Sequence, residues 1–495
     1  MSDTEEKNNT PNQEDLSKVG AVSSFFKKHK SLPALILVLL FISFSFLWIQ
    51  DEDNADILLY LDRLMPAQSN QPSKIQAEPK KQPSTLVLDL EGLGIHLVAL
   101  NETGSVYWDI NENGFANASG WIGEGTGLLA IDLNGDGIIN NHSELFGSLT
   151  EDGFSALAQY DLNQDGIIDE QDAVWDQLLV WVDKNSDGYS QADELYSMND
   201  LGITSINLNY TLVNYEIAGN PITHESTFTM NGKTRSIVDA WFAYDLVNTV
   251  YNQDYVLDYR IFSLPTLRGS GQLPDLHIAM SLDETLLKMV SDLNNMSLQE
   301  LSAQYFLRQS LIHNIMYQWA GVSDIDPCRR GSHVDARELE FLESVRGKEF
   351  RQRGSNPNPT AKAAPFIQEG WNNAYKAFSS RLLYQLPSFS DFFIGKPAYS
   401  LARDIPIQNL KINYEYLTQF FADENHDLSH KQGIALFMAN LIKAVIASDD
   451  DQGHHPLWQS FQETLPPYIL LEDLRDRSYA NVCSFDSNLI VLEEK

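Results

Sequence analysis

DLNGDGIIN at 132–140, DLNQDGIIDEQD at 161–172 and DKNSDGYSQADE at 183–194 decide how this chain is read. Each opens with Asp-x-Asn-x-Asp-Gly. A loop that encloses Ca²⁺ needs side-chain oxygens at positions 1, 3 and 5, glycine at 6 for a sharp turn, a backbone carbonyl at 7 and an acid near 12. The plain alternative is an Asx turn closed by glycine that binds nothing. One such stretch would not separate the two. Three between Asp132 and Glu194, two of them with an acid at position 12, favour cation loops.

In the first loop Asp132, Asn134 and Asp136 hold positions 1, 3 and 5, Ile138 offers the carbonyl and Asn140 stands at 9. Position 12 is Ser143, and the acid Glu144 comes one residue late. The second has Asp161, Asn163, Asp165, Ile167, Asp169 and Asp172; an Asp at 12 is shorter than Glu, which predicts weaker binding. The third, with Asp183, Asn185, Asp187, Tyr189 and Glu194, meets every requirement. GLLAID (127–132) and LLVWV (178–182) read as strands, whereas GFSALAQY (153–160) and QADELYSM (191–198) read as helices. Strands therefore lead into the first and third loops, which suits staples in a mixed module better than paired helical sensors. The expected role of the ion is to hold a scaffold, not to switch it. Asp109, Asn111 and Asn113 with Gly114, and Asp89 with Glu91, keep part of the spacing but read as turns, since Gly120 and Leu93 fall where oxygen ligands belong.

The chain has 495 residues, 43% hydrophobic, enough for about three domains. A formal net charge of −34 argues against nucleic acid or anionic lipid as partner, because either needs a basic face. Cys328 and Cys483 form no CxxC, which excludes a thiolate zinc site or an iron–sulfur cluster as the theme. A disulfide between them and two separate thiols both stay open.

Residues 1–31 read as a cytoplasmic disordered tail ending in Lys27, Lys28, His29 and Lys30. LPALILVLLFISFSFLWI (32–49) carries no charge and covers roughly 27 Å as a helix, enough for a bilayer core. Its basic side precedes it and Asp51, Glu52, Asp53 and Asp56 follow, so the N-terminus is expected inside and the bulk of the chain outside. A cleaved signal peptide would have a shorter apolar region and small residues after it, so a signal anchor is the reading. Residues 50–84 read as a linker rich in Pro, Gln, Ser and Lys, and folded structure restarts with strand patterns at 85–100 and 105–121. ITSINLNYTLV (203–213) and STFTMN (226–231) are further strands.

From about 246 the periodicity turns helical, at 283–293, 297–321, 335–347, 370–386, 417–426 and 430–448, with a loop at 351–366. This half contains no HExxH, GxSxG, phosphate-binding or dinucleotide signature, so no catalytic residue is assigned and the chain reads as no enzyme. Asp449, Asp450, Asp451, His454 and His455 read as a solvated loop, His277 and His313 as core or boundary histidines, and Arg329, Arg330 and His333 as a basic turn.

LVLDLEGLGI, YWDINENGFANASGWIGEGTGLLAIDLNGDGIINNHSELFG, LLVWVDKNSDGYSQADEL and LPTLRGSGQLPDLHIAMS together resemble the EF-hand-like calcium-binding region of large bacterial RTX-type, haemolysin-related proteins, over about residues 85–350. The resemblance implies Ca²⁺ binding in an exported bacterial protein. It lacks the GGxGxDxUx repeats of that group, and an anchor stands where one-step secretion is usual. The expected architecture is α+β: a loop-rich, EF-hand-like module at 85–245 and a mainly helical domain at 246–495, preceded by one transmembrane helix. The expected protein sits in a bacterial inner membrane by a single pass, faces the periplasm, and uses Ca²⁺ to stabilise an interaction scaffold. Alternatives are an RTX-related toxin or hydrolase with an unfamiliar site in the helical half, and a periplasmic interaction or protective protein for an exported partner.

Overall fold

In the computed structural model the described residues are 83–470, excepting 101–105, 304, 353–355, 396–398, 401–404, 407–409 and 447–454. All belong to the compact unit Asp56–Lys495. The expected tail, membrane span and nearly all of the linker lie outside the described residues, as do Asp449–Asp451, His454 and Cys483.

The fold is mixed α/β, a curled antiparallel sheet followed by helices. Strands β1 (Ser84–Asp89), β2 (Leu97–Val98), β3 (Val106–Trp108), β4 (Phe115–Ser119), β5 (Trp121–Ile122), β6 (Thr126–Ile131), β7 (Ile167–Asp169), β8 (Leu178–Trp181) and β9 (Leu195–Ser197) precede a second group. That group is β10 (Ile203–Asn207), β11 (Thr211–Ile217), β12 (Asn220–Met230), β13 (Lys233–Trp241) and β14 (Tyr244–Tyr251). The main sheet has nine strands in the order β7-β10-β12-β13-β1-β6-β8-β9, with β11 on β12. A bulge in β12 between Ile222 and His224 bends it, so its first half pairs with β11 and its second with β10.

Every residue of β1 and β6 is buried, because apolar side chains alternate onto two cores. Leu86, Leu88, Leu129, Ile131, Val180 and Ile237 point to one. Val87, Leu128, Ala130, Trp181 and Val238 point to the other. Each fully buried leucine contributes roughly 2 kcal/mol of transfer free energy. The second core contains Trp108, Trp121 and Trp181, with ring centroids 5.2–5.6 Å apart, directly behind the loops at 132 and 183.

Two local expectations are corrected. Residues 191–198 are not a helix: Leu195–Ser197 form β9, which pairs antiparallel with β8, so the third loop is the connection of a hairpin. Pairing of Leu195–Ser197 with Leu179, Val180 and Trp181 outweighed the helical spacing. Strand structure also runs past 246, since β14 pairs with β4.

The remaining core is helical and runs from Ile261 to Ile469. Its longest helix, Ala364–Tyr384, starts inside the stretch expected as loop; Pro365 falls in its first turn, where a missing N–H costs nothing. Thr249 Oγ1 on β14 donates to the Gly271 carbonyl at 2.9 Å, and the Gly271 N–H donates to Val247, tying sheet to helices. Cys328 is disulfide-bonded. The basic turn has partners that its sequence did not name: Arg329 pairs with Glu340, and Arg330 with Glu343 at 2.8 Å. Among the described residues no helix is long and apolar enough to cross a membrane.

Candidate functional site

The three loops share one hydrogen-bond plan. The first Asp accepts the N–H of the glycine at position 6: Asp132 from Gly137 at 2.8 Å, Asp161 from Gly166 and Asp183 from Gly188 at 2.9 Å. The Asn at 3 accepts from the Asp at 5, as Asn134 does from Asp136, Asn163 from Asp165 and Asn185 from Asp187. The Asp at 5 accepts from position 7, where Ile138, Ile167 and Tyr189 stand. Position 4 is left-handed each time, at Gly135, Gln164 and Ser186.

The closing acids bridge positions 2 and 9. Glu144 takes the N–H groups of Leu133 (3.2 Å) and Asn140 (2.9 Å). Asp172 takes those of Leu162 (3.3 Å) and Asp169 (3.1 Å). Glu194 takes those of Lys184 (2.9 Å) and Gln191 (3.3 Å). Glu144, one residue out of step, reaches its place because Asn141 caps a short 3₁₀ turn, His142–Glu144, that carries it back under the loop. All three acids are buried. Burial pushes the Glu144 carboxyl above its ordinary range, the Asn140 and Leu133 N–H groups pull it down, and Asp136 and Asp132 push it up.

The loops at 132 and 183 are joined at their eighth residues. Ser190 Oγ accepts the Ile139 N–H at 2.7 Å and donates to the Ile139 carbonyl at 3.1 Å. Trp121 Nε1 donates to Asp183 at 2.8 Å, fastening that loop to the tryptophan core. Neither link was visible in the sequence, where Trp121 stands far from the motif. The loop at 161 is held apart: its eighth residue, Ile168, pairs with Ile206. Asp161 Oδ1 is buried and takes no hydrogen bond from the described residues. The upstream cousins are turns, as read. Asp89 accepts from Gly92, Leu93 and Gly94, and Asp109 from Asn113 and Gly114.

The loops are therefore self-closed. Each carboxylate spends oxygens on N–H groups of its own loop, and among the described residues no group of three or more His, Cys, Asp and Glu is placed to hold a metal ion. This corrects the expectation that the chain carries ready-made calcium- or metal-binding centres of EF-hand type.

Residues 86–243 match the SPM domain model. Over 245 residues the chain is 35% identical to iron-regulated protein FrpA of Neisseria meningitidis serogroup C, which covers 48% of this chain and 21% of that protein. The chain thus spans about a fifth of that relative's length. These similarities include no EF-hand or calcium-binding family, which corrects the EF-hand-like part of the resemblance.

Proposed function

We propose that residues 83–470 act by binding, as a scaffold that presents the loops at 132, 161 and 183 to a protein partner, and not by catalysis. The observation that carries this is the exposure of large apolar side chains on turns whose backbones are fixed. Leu133 is 57% exposed, Ile138 46%, Leu162 71% and Tyr189 55%. Rigid turns lose little entropy on binding, and apolar anchors on them supply interface energy. The test is cross-linking in cells that express the chain, comparing wild type with a Leu133→Ser/Leu162→Ser pair. A partner captured by wild type and lost in the pair supports the reading; identical captures overturn it. The stretch 32–49 is proposed as the anchor that holds this scaffold outside an inner membrane. Protection of the scaffold from protease added to spheroplasts would refute that placement.

A second reading, Ca²⁺ as an ordering ion, is favoured by the buried, unpartnered Asp161 Oδ1 and by the mutual repulsion of Glu144, Asp136 and Asp132. Here the ion itself would have to draw together carboxylates now bonded to N–H groups. With a Kd of about 10⁻⁴ M, millimolar Ca²⁺ would add roughly 1.4 kcal/mol. Melting of the full chain in Ca²⁺ against chelator checks it, and unchanged melting rules it out.

A further inference from the structure

A cleft of about 580 Å³ opens between the turn after β1 and the sheet face formed by β10, β12 and β13, bordering the loop at 161 through Asn207 and Asn209. Asp89, Gly92, Asn207, Thr211, Glu225 and Arg235 are among its walls, and among the described residues Arg235 is the only cation lining it. Arg235 Nε and Nη1 are buried and have no acceptor among the described residues. A buried donor without a partner costs about 1–3 kcal/mol, and more when it is charged. The neighbouring acids are otherwise engaged. Asp89 holds three N–H groups of its turn, and Glu225 accepts from Ser236 Oγ at 3.3 Å.

The turn is built to lie on the guanidinium. Gly92 has φ +77°, and a Cβ there would stand 3.4 Å from Arg235 Nη1. Asp89 locks that turn in place over the guanidinium. Asn207, Asn209, Thr211, Thr227 and Thr234 add neutral hydrogen-bonding groups around it. Beside the cleft runs β11, which among the described residues pairs with β12 alone and has a largely exposed surface. Its other edge is open to an extended chain.

We propose that this cleft binds one carboxylate of an extended peptide, an Asp or Glu side chain or a C-terminus, with Arg235 as the bidentate donor. A planar carboxylate matches the guanidinium fork. A single negative charge suits it better than the double charge of phosphate, because only one cation is present, two acids border the cleft and the whole chain is at −34. This site is independent of the loop reading and survives its failure.

The test uses the full chain in detergent with ¹⁵N-arginine, following the Arg235 Nε–H signal assigned by its loss in Arg235→Lys. The probes are acetyl-Gly-Asp-Gly-amide, its Asn twin and inorganic phosphate. The expected result is a saturable shift with the Asp peptide and binding at least about tenfold weaker for both other probes. Gly92→Asp, which places a carboxylate beside the fork, should silence the titration while circular dichroism shows the fold retained. Equal response to the Asn twin, equal response to phosphate, or no response at millimolar Asp peptide would each overturn the proposal.

Discussion

A carboxylate that bridges two N–H groups of its own loop is worth more than a surface ion pair, because its loss orphans both donors at once. Glu194, 3% exposed, is such a group. Glu194→Ala should cost about 2–3 kcal/mol, and Glu194→Gln about half of that, read as shifts of the denaturant midpoint. In the helical core, burial pushes Glu338 up to about 8, with Asp335 raising it further. Burial lowers His313 to about 4, helped by Arg337. A Glu raised in the fold binds its proton more tightly there than when unfolded. Its contribution is therefore full at low pH and is lost as pH climbs from 4.5 to about 8. A His lowered in the fold works the opposite way, its contribution lost as pH falls from 6.5 to about 4. Between 4.5 and 6.5 the two oppose, so Glu338 acts without that opposition only between 6.5 and about 8. In that window Glu338→Gln should remove a fall in stability of at most about 1.4 kcal/mol per pH unit, measured as the difference from wild type.

Among elements, the same motif position carries different burdens. Gly137 has φ +82° and open space within 4 Å of where a Cβ would stand, whereas a Cβ on Gly188 (φ +73°) would meet Val106 Cγ1 at 2.5 Å. Gly137→Ala should therefore cost only the left-handed strain of about 1–2 kcal/mol, while Gly188→Ala should cost about 3 kcal/mol or more. Equal losses on thermal melting would contradict this packing. Ser190→Ala should free the 132 loop from the 183 loop, seen as faster amide exchange at Ile139 with a loss of about 1 kcal/mol. The spacing of Asp, Asn and Gly made the turns legible, because each bond in them is local. It named Glu144 as an acid one residue late but did not reveal how it closes the loop, since that needs the Asn141-capped turn, nor that β9 replaces a helix, since a strand's partner is a tertiary fact.

At the scale of the molecule, two sheet cores and a helical core are joined through β14. Thr249 is buried there and its hydroxyl holds Gly271. Thr249→Val keeps the shape and removes that bond. It should cost about 1 kcal/mol and broaden the calorimetric transition as sheet and helices uncouple; an unchanged, single sharp transition would show that the bond does not couple them. The acid-rich balance also shapes the Arg235 cleft, where among the described residues one cation stands between Asp89, bonded to its own turn, and Glu225, bonded to Ser236.

What the sequence determined alone is whatever depends on neighbours along the chain: the Asx turns, most of the helices through their apolar spacing, and the strand patterns of β1 and β6. Tertiary structure decided how those turns are closed. Their acids hold N–H groups of their own loops, because a folded loop satisfies its donors with the nearest acceptors. It also brought together residues that no spacing connects, Trp121 with Asp183, Ile139 with Ser190, and Arg235 with the turn at Gly92. Such pairings follow from strand order, and strand order is fixed only when the cores pack.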